Sequence, residues 1–283
     1  MTISEWLKHA RDRLTQTGCP DPDIDARWIA EDALGMTRQD LVFESDRAIT
    51  RDQFYTLESM LDRRAAGEPV QYILGSADFM GLRFKVDEHV LIPRQDTEAL
   101  VEAALIELRQ RPGRPTLLDL CCGSGCVGLS LASLAPHARV TLTDLSPEAL
   151  EVARANQKAL AVRAELRQGD LFDALGRERF DVIACNPPYI PSGELPALQR
   201  EVRFEPALAL DGGPDGLAFY RRIAEAAPER LNSGGAIFLE VGIAQAHPVL
   251  DLLKTHLPCR EAGTIRDLNG VERVVFGKMR NEE

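Results

Sequence analysis

The chain has 283 residues, 45% hydrophobic and 27% charged, the balance of an ordinary soluble globular protein with enough length to bury a core in one large or two modest domains. Its net charge of −11 is opposite in sign to that of proteins that track a nucleic-acid backbone, which argues against a direct DNA or RNA substrate. No run approaches the roughly 20 apolar residues that span a bilayer, and the N-terminus Met1-Thr2-Ile3-Ser4-Glu5-Trp6 lacks the regions of a signal peptide, so a cytoplasmic protein without membrane partners is expected.

Residues 1 to about 70 read as helical. Ile3, Leu7, Ala10 and Leu14 fall on one helical face, and Thr2 with Glu5 has capping-box spacing. Ile24, Trp28 and Leu34 mark a second helix stopped by Gly35. Phe54, Leu57, Leu61 and Ala65 mark another, entered at Thr50 and Gln53 and ending at Gly67. Trp6 and Trp28 are expected as core or interface anchors. This small helical-bundle domain, residues 1–75, carries no catalytic constellation. Partner recognition is its expected role, with a structural cap as the alternative.

Residues 76–95 read as a β-hairpin linker, since Phe79, Leu82, Phe84, Val86, Val90 and Ile92 lie mostly at even spacing around turn candidates at Gly81 and Asp87-Glu88. A helix through Leu100, Ala104 and Leu108 follows, with Asp96 or Thr97 as its cap.

Residues 96–283 form the expected α/β domain. From Thr116 strand and helix alternate. Strands are expected at Thr116–Leu120, Val140–Thr143, Glu165–Gln168, Phe180–Cys185 and Ala236–Val241, with helices at Gly125–Leu134, Pro147–Leu160, near 217–231 and near 244–256. Residues 187–215 are irregular, and Arg260–Thr264 and Glu272–Phe276 read as a closing antiparallel pair. The six cysteines, at 19, 121, 122, 126, 185 and 259, fit neither a disulfide framework nor a zinc knuckle. They read as reduced core or turn residues, with no metal expected.

The chemistry concentrates at strand ends. Cys121-Cys122-Gly123-Ser124-Gly125 follows the first strand, after Asp119. Its glycines let the backbone turn and approach a ligand closely, and the helix behind it offers free N–H groups. The pattern D-x-x-x-G-x-G suits a nucleoside with an amino-acid tail better than a pyrophosphate. Asp144 ends the second strand, where an acid can accept ribose hydroxyls. Asp170 ends the third, where it and Leu171 can frame an adenine. Asn186-Pro187-Pro188-Tyr189 ends the fourth. Two prolines there give no N–H to a ladder and stiffen the exit, presenting one carboxamide, free carbonyls and one aromatic ring. Taken singly, each acid fits a helix cap and the prolines fit a plain strand exit. At four successive strand ends together they describe an S-adenosylmethionine site with a reactive edge.

The D-x-x-x-G-x-G turn with N-P-P-Y resembles the class I (Rossmann-like, seven-stranded) methyltransferases that act on planar amide or exocyclic amino nitrogens. Glu68-Pro69-Val70-Gln71-Tyr72-Ile73-Leu74-Gly75, Leu91-Ile92-Pro93-Arg94-Gln95-Asp96-Thr97-Glu98, Arg203-Phe204-Glu205-Pro206 and the ending Arg266-Asp267-Leu268-Asn269-Gly270 narrow the resemblance to the PrmC (HemK) family. The similarity runs nearly the whole length. It implies methylation of the amide nitrogen (N5) of the glutamine in the GGQ motif of class 1 peptide chain release factors, with S-adenosylhomocysteine as coproduct. It also implies cofactor contacts at Cys121 to Gly125, Asp144 and Leu171, and glutamine contacts at Asn186, Pro187, Pro188 and Tyr189; from their places at strand ends, Asp170 and Asn186 are also expected against the cofactor. Cys121-Cys122 replace the Gly-Thr more usual in that turn, and Leu171 stands where some members carry an aromatic. The alternatives are a glutamine methyltransferase of a ribosomal protein and an adenine-N6 nucleic-acid methyltransferase. The Arg203 to Pro206 segment and the N-terminal helices favour the release-factor type over the first, and the acidic balance disfavours the second.

Overall fold

Two capping boxes read from the sequence open helices of the N-terminal region in the computed structural model, which describes residues 1–281. Thr2 Oγ1 accepts the Glu5 N–H and the Glu5 carboxylate accepts the Thr2 N–H, starting α1 (Ile3–Gln16). Thr50 and Gln53 do the same for α4 (Arg51–Ala65). Between them lie α2 (Pro22–Leu34) and α3 (Arg38–Phe43), and α5 (Val70–Leu74) follows. Ile3, Trp6, Ala10, Leu14, Leu57 and Leu61 are buried together, as the stripes require. The stripe expected on α2 is turned: its buried face is Ala26, Ile29 and Ala30, while Ile24 is exposed and Trp28 only half-buried. The cause is polar. Asp25 points inward to the buried Arg64 of α4, and the guanidinium also pairs with Glu201. The chain divides into two compact units, and Gln199–Phe204 belongs with Met1–Ser76.

The second unit takes Ala77–Leu198 and the chain from Glu205 on. Its hairpin pairs β1 (Ser76–Phe79) with β2 (Leu82–Lys85) around Met80-Gly81. It is shorter than its pattern suggests, since Val86, Val90 and Ile92 are buried outside any strand. Asn156 takes both backbone groups of Lys85, at 2.6 and 3.0 Å, and so ends β2. A 3-10 turn over Gln95–Thr97 leads into α6 (Glu98–Arg109). Neither Asp96 nor Thr97 caps it, because Thr97 is already helical (φ −68°) and Asp96 pairs with Arg273 at 2.9 Å.

The alternating region forms β3 (Thr116–Leu120), α7 (Cys126–Leu134), β4 (Arg139–Asp144), α8 (Pro147–Leu160), β5 (Glu165–Gln168) and β6 (Phe180–Cys185). Then come α9 (Ala207–Leu210), α10 (Ala218–Arg230), β7 (Leu231–Glu240), α11 (Ala246–His256), β8 (Cys259–Arg266) and β9 (Glu272–Met279). The seven-stranded sheet has the order β5-β4-β3-β6-β7-β9-β8. Its first five strands are parallel, and β9 is antiparallel to both neighbours. One apolar layer packs between the sheet and α6, α7 and α8, the other between it and α10 and α11. Such two-sided burial explains why the parallel strands read as continuous apolar runs. β7 begins earlier than expected, at Leu231. Among the described residues no helix is long and apolar enough to cross a membrane.

Candidate active site

Strand order reverses between β3 and β6, and ligands of open α/β sheets bind at the carboxyl ends beside such a switch. A cleft of about 290 Å³ opens there. The turn after β3 forms one wall. Gly123 has φ +52° and a Cβ there would meet nothing within 4 Å, whereas Gly125 has φ +79° and a Cβ would come within 2.9 Å of Leu129. Gly123 thus leaves the cleft side bare, and Gly125 lets α7 start close beneath. Cys121 also takes a left-handed φ of 59°, as does Leu171 at 50°, a conformation side chains rarely adopt away from constrained sites.

Asp119 lies below the turn, its Oδ2 accepting the Gly128 N–H at 2.7 Å. Burial pushes its carboxyl up to about 7. Asp144 Oδ2 accepts the Gly123 N–H at 2.8 Å and Oδ1 the Ser146 N–H at 2.9 Å. Each oxygen keeps one lone-pair position for a further donor. Thr143 Oγ1 on the same strand end is buried with no partner, and Thr143 lines the cleft. These groups fit a ligand carrying hydroxyls. Asp170 also lines the cleft, and Arg222 of α10 holds its carboxylate at 2.8 Å.

Asn186 and Pro188 line the cleft with Cys121, Cys122, Gly123, Ser124, Asp144, Asp170 and Leu171, while Gly125, Pro187 and Tyr189 do not. The proline exit is gripped from behind. Ile190 bridges Asp211, Gln245 Nε2 donates to the Tyr189 carbonyl at 2.9 Å, and Gly212 and Gly242 let their chains press against Tyr189. Burial pushes the Tyr189 phenol up to about 12, so it stays neutral near pH 7.

Several residues at this site escape sequence reasoning. Arg94 lines the cleft and pairs with the buried Glu205, whose other oxygen accepts the Ile92 N–H at 3.0 Å. Thr97, which the sequence suggests only as a helix cap, lies beside Asn186, with Nδ2 at 3.4 Å from Thr97 Oγ1. Glu240 ends β7 as Asp144 ends β4, an acid closing an apolar strand. An acid closing an apolar run is the sequence signal that marks it. All six cysteines are free thiols. Among the described residues no three His, Cys, Asp or Glu side chains group to hold a metal.

The sheet order, the glycine turn and the acid-ended strands together define a class I methyltransferase. Residues 5–75 match the PrmC N-terminal domain family, and residues 97–200 the methyltransferase small domain family. A protein named release factor glutamine methyltransferase from Geobacter sulfurreducens is 43% identical over 279 residues, 98% of this chain and 97% of that one. A protein of the same name from Moorella thermoacetica is 41% identical over 284 residues, all of both chains. A solved methyltransferase structure from Pyrococcus furiosus, 18% identical, shares the fold with a TM-score of 0.52 over 71% of this chain and 91% of that one. The chain belongs to the release factor glutamine methyltransferase family.

Proposed function

We propose that the protein transfers a methyl group from S-adenosylmethionine to the side-chain amide nitrogen of the glutamine in the GGQ motif of class 1 peptide chain release factors. One observation carries this: a carboxamide, Asn186, stands on a proline-stiffened strand exit at the same cleft as the glycine turn and Asp144. End-to-end similarity to proteins of that name supports the choice of partner. Labelled-methyl transfer to a purified release factor tests it.

In this reading Asp144 and Thr143 hold the hydroxyls of the nucleoside, Asp170 and Leu171 frame its base, and Cys121 to Gly125 carry its amino-acid tail. When bound, the cofactor supplies an electrophilic methyl on a sulfonium. The difficulty lies with the acceptor, because an amide nitrogen's lone pair is delocalised into its carbonyl. Asn186 Oδ1 and the Pro187 carbonyl accept its two N–H bonds, which aims the nitrogen and favours the positive charge that grows on it. Pro188 fixes the backbone that makes this possible, and Tyr189 offers an aromatic face to the planar amide. With its phenol neutral, Tyr189 is not a base. None is required beforehand, since the methylated nitrogen is acidic and releases its proton afterwards. Residues 1–75 serve as the partner-recognition domain, 76–95 as the hairpin linker and 96–283 as the methyltransferase domain.

A further inference from the structure

We propose that a groove in the helical unit, walled by α1 and the first turns of α2 and α3, seats an acidic segment of the release factor that also carries apolar side chains. This rests on the reading of a release factor as the methyl acceptor.

The groove begins with a second stripe on α1. Ile3, Trp6, Ala10 and Leu14 face the core. Leu7, Lys8 and Arg11 stand three and four residues apart on a neighbouring face and line a groove of about 420 Å³. Its floor is apolar. Ala26 and Leu41 are buried there, and Leu7 packs against the same core. The apolar surface continues outward, since Val42 lines the groove and is 68% exposed, with Phe43 beside it 85% exposed.

The rim is basic in an acidic setting. Residues 1–76 hold 9 Lys and Arg against 14 Asp and Glu, a net of −5. Four of those cations, Lys8, Arg11, Arg27 and Arg38, line this one groove, against the single acid Asp23. Arg11 lies 3.3 Å from Asp12 and 3.8 Å from Asp23, and Arg27 Nε lies 3.4 Å from Glu31. Lys8 and Arg38 are exposed, and among the described residues no carboxylate pairs with either. Arg38 gains nothing from its own helix. It is the first residue of α3, where the free N–H groups disfavour a cation.

Unpaired cations above an apolar floor fit a peptide with carboxylates on one side and apolar side chains on the other. A nucleic acid would meet Asp23 and a net negative unit, and would leave the floor unmatched. The reaction also calls for such a surface. A glutamine side chain is the same on every protein, so contacts that meet only that side chain cannot choose the partner. A second surface with its own charge pattern can.

Lys8→Glu with Arg38→Glu, made in the full chain, reverses both unpaired charges at exposed positions. Binding of an intact class 1 release factor, measured by biolayer interferometry without S-adenosylmethionine, should weaken at least tenfold. Salt should weaken wild-type binding more steeply than that of the double variant. In turnover the loss should fall on KM rather than kcat, with the Kd for S-adenosylmethionine within threefold of wild type. Val42→Ser, which removes apolar surface and no charge, should weaken binding at least threefold. Carbodiimide coupling should join Lys8 Nζ to an Asp or Glu of the release factor. Should the double variant not fold, Lys8→Gln with Arg38→Gln makes the same comparison. A double variant that binds the release factor within twofold of wild type overturns the proposal, and the functional reading stands if that variant still methylates the factor. Groove cations needed for binding labelled duplex DNA but not the release factor overturn it too. If wild type binds the factor through Lys8 and Arg38 but places no methyl on it, the functional reading fails while the groove stands.

Discussion

The Gly123 N–H donates to Asp144 Oδ2 at 2.8 Å, so the glycine turn after β3 and the acid that ends β4 hold each other in place. Asp144→Ala removes that acceptor along with the one for Ser146, and with them the group assigned to the ribose hydroxyls. Calorimetry should show the Kd for S-adenosylmethionine rising at least tenfold, about 1.4 kcal/mol. A Kd within twofold of wild type would remove Asp144 from the cofactor site.

Asp119 makes stability depend on pH in a direction opposite to that of most carboxylates. Burial lifts it from 3.8 to about 7, against the Gly128 N–H it accepts. Between those values the folded chain keeps a proton that the unfolded chain has released. The stabilisation is therefore complete below about pH 4 and is lost as pH rises to about 7. Glu240, lifted from 4.5 to about 7 by burial, acts in the same direction. Asp119→Asn keeps an oxygen for Gly128 and removes one of the two titrations. Its urea midpoint should gain on that of wild type from about pH 5 to about pH 8. A constant difference across that range would contradict the assignment.

Ala161 closes α8 with φ 53° and ψ 33°, a left-handed C-cap that suits glycine. Its side chain is exposed, so removing the methyl empties no core. Ala161→Gly should stabilise the protein by about 1 kcal/mol, read as a higher urea midpoint at unchanged slope. Destabilisation would mean that the greater freedom of an unfolded glycine outweighs the relief.

What the sequence disclosed, and what it did not, divides by range. Acids and glycines at strand ends are local signals, and Asp144, Gly123 and Asn186 could be placed from their neighbours in the chain. Capping boxes at Thr2 and Thr50 are equally local. The turned face of α2 was not legible, because Arg64, far along the chain, draws Asp25 inward. Nor was the early end of β2, which Asn156 sets from α8. Thr97 looked like a cap because its sequence neighbours suit one. Only the fold brings Asn186 to it.

The same long-range pattern bears on partner recognition. Gln199–Phe204, which directly follows the proline exit and its 3-10 turn, belongs with the helical unit rather than with the sheet. Deleting residues 1–75 should lower kcat/KM on an intact release factor at least tenfold and leave the Kd for S-adenosylmethionine within threefold. Undiminished methylation of the intact factor by the truncated chain would make those helices a structural cap.

The identity of the acceptor is open to direct measurement. Purified protein is given labelled S-adenosylmethionine with a class 1 release factor, a glutamine-bearing ribosomal protein and duplex DNA side by side, and the modified residue is mapped by mass spectrometry. Label should enter the release factor alone, at the GGQ glutamine. Asn186→Ala, deprived of a transition-state acceptor, should be slower by a hundredfold or more, on the order of 3 kcal/mol, while still binding the cofactor. Label in the ribosomal protein or the DNA instead, or near-normal transfer by Asn186→Ala, would contradict the account.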